Sequence, residues 1–184
     1  MPATGRHRPS RLVRRLSEVR GILPAMGMIF VGRRLDAAEQ QRLLTDHSRT
    51  ADLIHGGNAP DLDLDKAWHA IHYLLAGAAW ETTTGAGEAI LGGDPIGSDV
   101  GYGSARLLGP AQVRAVAAGL EPVTVGTLRS RYDSAALGAA DIYPDIWDDD
   151  EEEFDTYLAP YVDELRSFYL AAAGAGEAVL LAVV

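Results

Sequence analysis

Two histidines three residues apart, His69 and His72, have the widest chemical range of any side chains in this sequence. On a helix that spacing points both imidazoles to one side, where they could ligate a metal with Asp65 one turn earlier as third ligand or orienting carboxylate. Two ligands do not make a site, and no glutamate-bearing zinc-protease motif accompanies them. His72 also falls inside an apolar stripe beside Trp68. A neutral core imidazole donating to a backbone carbonyl is therefore the preferred reading, and neither a metal nor a cofactor is assigned.

A second group of chemistry-bearing residues lies in the glycine-rich stretch from Gly92 to Gly109, which holds Asp94, Pro95, Asp99, Tyr102 and Arg106. Glycines at 97, 101 and 103 permit close backbone approach to a ligand. Their spacing fits neither a Walker loop nor a dinucleotide fingerprint. Asp99 capping its own loop or pairing with Arg106 is the favoured structural reading. Ser98 and Ser104 stand near glycines with no assignable base and no Gly-x-Ser-x-Gly elbow, so a serine hydrolase finds no support. The candidate binding cleft is His72, Asp99, Tyr102, Arg106 and Asp145, in which imidazole and carboxylate could share acid and base work. The acidic run from Asp148 to Glu153 lacks the central glycine of a calcium loop and reads as a solvated helix start.

The elements that must position these residues follow from periodicity. Met28 to Gly32 and Ala178 to Val184 are apolar, β-branched runs suited to buried strands, and Ala89-Ile90-Leu91 reads as a short strand. Asp36 caps a helix that turns Leu35, Leu43 and Leu44 inward, with Glu39 completing a capping box. A helix from Asp63 or Leu64 to Ala76 ends at Gly77 and aligns Leu64, Trp68, Ile71, His72 and Leu75, so that Trp68, Ile71 and Leu75 belong to the core. Pro110 opens a helix through Val113, Val116 and Leu120. Val125 to Tyr132 is helical, and Asp133 opens a further short turn. Pro160 breaks the stripe of Phe154, Leu158, Tyr161, Leu165, Phe168 and Tyr169, which predicts a kink or two helices. Strands at both ends with helices between them imply an α+β fold, one domain with a mixed sheet covered by several helices.

Charge narrows the function classes. The chain has 184 residues, no cysteine and a net charge of -10. Residues 1 to 27 hold six Arg and one acid, leaving 10 basic against 25 acidic residues beyond, a net -15. Such a body repels phosphate, so neither nucleic acid nor an anionic membrane is an expected partner. Residues 1–25 are expected to be a disordered basic extension, or to lie ahead of a true start at Met26 or Met28. The lack of cysteine suits a reducing compartment, and the cytoplasm is the expected location.

Three blocks read together as a family pattern: the stretch from Leu62 to Leu75, Asp99-Val100-Gly101-Tyr102-Gly103-Ser104-Ala105-Arg106, and Ile142-Tyr143-Pro144-Asp145-Ile146-Trp147-Asp148. They resemble the bacterial YfbM-like family of unknown function, DUF1877, over Met26 to Val184. The resemblance implies a cytoplasmic α+β domain over 26–184 and transfers no activity, cofactor or catalytic residue. The expected function is a binding or interaction module with an acidic surface, recognising a protein partner or a small molecule. The competing reading is a small-molecule enzyme built on His72, Asp99 and Tyr102.

Overall fold

The apolar run near the end of the chain forms the middle strand of the fold. The computed structural model describes residues 27–147 and 152–184. Its strands are β1 (Phe30–Leu35), β2 (Leu62–Asp65), β3 (Asp94–Asp99), β4 (Ser104–Leu108) and β5 (Ala178–Val183), arranged in the order β2-β1-β5-β4-β3. β5 is buried along nearly its whole length. It needs no polar face because helices cover both sides of the sheet.

The helices are α1 (Ala37–Thr45), α2 (Arg49–His55), α3 (Trp68–Ala76), α4 (Pro110–Leu120), α5 (Val125–Arg129), α6 (Ser134–Ala139) and α7 (Ala159–Ala175). The smaller core, on one face, joins Leu43 of α1 and Ile54 of α2 to Val31, Ala105, Leu107 and Leu180. The larger core, on the other face, joins α3 to α7 with Phe30, Leu108, Val179 and Leu181. Alternation along β1, β4 and β5 sends successive side chains to opposite cores, as a pleated strand requires.

The α+β class is as expected, but every strand pair is antiparallel and the sheet is not mixed. The difference arises in the glycine-rich stretch, which holds the hairpin β3–β4. Its glycines and Pro95 depress strand propensity and hide the pair, and a hairpin joined by so short a turn must be antiparallel.

Other local expectations also need correction. Leu62–Asp65 is a strand, with Leu62 and Leu64 buried and Asp63 exposed. Leu64 stands four residues before Trp68 and so mimics one more helical turn, although the alternation of Leu and Asp is the stronger signal. Asp65 accordingly sits at a strand end, with φ of 45°, and not on the helix with the histidines. Ala89-Ile90-Leu91 is a turn after a short 3-10 helix (Gly85–Glu88), with Ala89 and Ile90 buried and Leu91 partly so. Leu44 is 47% exposed, while Leu35 and Leu43 are buried. Leu75 is half-buried, packing on the core that encloses Trp68 and Ile71.

Several terminal signals act as read. Asp36 accepts from the Glu39 amide at 2.7 Å, Asp133 accepts from that of Ala136 at 3.0 Å, and Gly77 ends α3 at φ of 75°. Before Pro160 the chain forms one π-helical stretch (Phe154–Leu158), where Ala159 N–H reaches back five residues to Phe154 O, and α7 then proceeds as an ordinary helix. The wider turn relieves the crowding that proline imposes on the preceding turn. The expectation for residues 1–25 lies outside the described residues, as does most of the acidic run, Asp148 to Glu151.

Tyr169 of α7 fastens the buried turn to the helical layer. Its side chain is fully buried and its hydroxyl donates to Ala89 O at 2.7 Å. Tyr169→Phe leaves that carbonyl unpaired, and the expected cost in chemical denaturation is about 1–2 kcal/mol with little change in fold.

Candidate functional site

On the larger-core face, the helical layer gives way to the loop of residues 77–91 above one end of β1, β4 and β5. There a cleft of about 740 Å³ opens. Phe30, Ile90 and Leu181, all buried, form its floor. Trp80, Glu81 and Thr82 line it from the loop, and Tyr102, Ser104 and Arg106 from the hairpin. Trp80 is 59% exposed and Tyr102 51%, so two large aromatic rings stand at the edge of an apolar hollow.

The hairpin turn explains the place of Tyr102. Asp99 Oδ1 accepts from the amides of Gly101 at 2.8 Å and Gly103 at 3.3 Å, folding the tip upon itself. The tip then docks on the end of β5, where Tyr102 N–H donates to Val183 O at 3.1 Å. A side chain at Gly101 would meet the Val184 backbone at 2.8 Å, and φ there is 152°, so glycine is required for this approach.

Two histidines of α3 hold the loop wall. His69 Nε2 lies 2.9 Å from Ala79 O, and its Nδ1 accepts the Tyr143 amide at 3.0 Å. That acceptor role fixes the proton on Nε2, which donates to Ala79. The His69 ring stacks on Trp68 at 4.7 Å and packs against Trp80 at 4.3 Å. His72 is 1% exposed and its Nε2 lies 3.1 Å from Glu81 O, next to Trp80. Burial lowers both imidazole pKa values and pushes that of His72 down to about 4, against the smaller opposing effect of the Glu81 carbonyl. The pair therefore works as neutral donors to the loop.

The five sequence-derived candidates do not meet in one place. Tyr102 and Arg106 line the cleft. His72 touches its wall only through the Glu81 carbonyl, because the α3 stripe turns the ring into the core. Asp99 braces the turn that carries Tyr102. It does not pair with Arg106, which instead donates to Gly92 O at 3.1 Å and Gly93 O at 2.8 Å. Asp145 lies after α6 and lines a separate cavity of about 340 Å³ with His69, Trp80, Asp141 and Tyr143. Among the described residues, no group of three or more His, Asp or Glu side chains is placed to hold a metal ion.

A family model described as a domain of unknown function, DUF1877, matches residues 26–182. The chain belongs to the DUF1877 family. Among solved structures it is similar to YfbM from Escherichia coli, itself described as a protein of unknown function. That likeness has 24% identity and a TM-score of 0.67, and covers 85% of this chain and 100% of the other. It establishes the shared fold. No curated protein matches the chain.

The sequence reading of this DUF1877 domain missed Trp80, the residue common to both cavities. A signal was present. Tryptophan two residues beyond a helix-ending Gly77-Ala78, and followed by Glu81-Thr82-Thr83-Thr84, is a large aromatic on a polar loop, where binding residues concentrate.

Proposed function

We propose that this DUF1877 domain is a small-molecule binding module whose ligand site is the cleft between the sheet and residues 77–91. One observation carries the reading: Trp80 and Tyr102 keep more than half their surface in solvent at the mouth of a 740 Å³ hollow with an apolar floor. Exposed aromatics beside a cavity of that size offer stacking surface with a few polar groups at hand, the usual composition of a ligand pocket. The enzyme reading draws less support. It needs His72, Asp99 and Tyr102 in one cleft, whereas His72 is buried and donating to a carbonyl, and Asp99 is engaged by two glycine amides. The cytoplasm is the proposed location, supported by the cysteine-free sequence. No helix of the described residues is long and apolar enough to cross a membrane.

Ligand-observed NMR with a library of aromatic fragments tests the site. Hits on the parent should lose about tenfold in affinity in Trp80→Ala, given what aromatic packing contributes to a bound ring. The variant should melt within about 2 °C of the parent, since an exposed ring contributes little to stability. Fragments that bind parent and variant equally would place the site elsewhere.

A further inference from the structure

Arg106 gives the cleft a chemical preference. Its neighbours in β4, Ala105 and Leu107, are buried in the smaller core, so its own side chain emerges on the cleft face with Phe30 and Leu181. Its Nε–H donates to Gly92 O and one Nη2–H to Gly93 O, which fixes the guanidinium plane against the backbone. A guanidinium carries about five N–H donors, so roughly three remain. Among the described residues, no carboxylate lies within ion-pair distance of it.

A half-buried cation with a fixed plane and donors to spare, beside an apolar floor and two exposed rings, matches one ligand class. We infer that the cleft takes a planar ligand bearing a single negative charge, such as an aromatic carboxylate, with its oxygens on Arg106 and its ring against Trp80 and Tyr102. The planar fork of a guanidinium pairs with a carboxylate through two parallel hydrogen bonds, and arginine suits this better than lysine. Glu81 on the loop wall opposes a second negative charge. The acidic surplus of the body repels anions at range, but charges beyond about 8 Å are largely screened at physiological salt, so the local guanidinium decides. This inference rests on the cleft being the ligand site.

Calorimetric titration of the full chain with indole carboxylate and its uncharged analogue indole carboxamide separates the two claims. The acid should bind the parent about tenfold or more tightly than the amide, the usual margin of a charge-assisted hydrogen bond. Arg106→Gln should abolish that preference, and added salt should weaken the acid alone. Because acid and amide are compared on the parent, the test holds even where Arg106→Gln folds poorly. Equal binding of both compounds, or binding of neither, overturns the proposed ligand class. Binding of both that survives Trp80→Ala overturns the cleft itself.

Discussion

Trp68→Ala is expected to destabilise the domain by about 3–5 kcal/mol, the cost of emptying a large aromatic site in a packed core. Trp68 is 1% exposed, and its indole N–H donates to Met28 O at 3.0 Å just ahead of β1. Alanine removes the ring, leaves that carbonyl unpaired and takes away the surface on which His69 stacks. For a chain of this size the loss should appear as a fall in melting temperature of about 6 °C or more. A variant that melts with the parent would mean that α3 does not pack as described. The effect should extend to the cleft, because Trp68, His69 and Trp80 form one continuous group of rings from core to surface.

The second large effect is a pH dependence that belongs to His72. Burial holds its folded-state pKa at about 4, against an ordinary 6.5, while the Glu81 carbonyl opposes the shift and neighbouring His69 adds to it. The unfolded chain therefore binds a proton that the folded chain refuses between these values. Stability is complete above about pH 6.5, falls as the pH drops toward 4 and levels off below it, with about 2–3 kcal/mol lost by pH 4. His72→Gln removes the titrating group, so the variant should lose that much less than the parent between pH 7 and pH 4. Parallel stability curves for the two proteins across that range would show that His72 is not buried and neutral.

These effects separate what was readable in the residues from what was not. The central strand, the caps at Asp36 and Asp133 and the stop at Gly77 are local matters of pattern and capping, and they stand as read, whereas at Pro160 the chain passes from the π-helical stretch straight into α7 without leaving helical structure. The β3–β4 hairpin was hidden because its glycines and proline lower strand propensity, and its pairing with β5 is a tertiary event. Leu62–Asp65 was mistaken because one leucine satisfies two periodicities. The site was legible in part. Tyr102 and Arg106 announced themselves among glycines, but their relation to Trp80 depends on a loop returning over the sheet, which no spacing records. Asp145 and His72 were drawn into the same imagined cleft because titratable groups can be enumerated from a sequence whereas the directions they face cannot.

The proposed ligand site can be tested most directly by mapping amide chemical shifts as the ring probes are added. On titrating the full chain with indole carboxylate, the largest shifts are expected at Glu81, Thr82, Tyr102, Gly103, Ser104 and Arg106, all of which line the cleft. Shifts centred on Gly138, Asp141 and Tyr143, with those cleft amides unmoved, would assign binding to the other cavity and contradict the account.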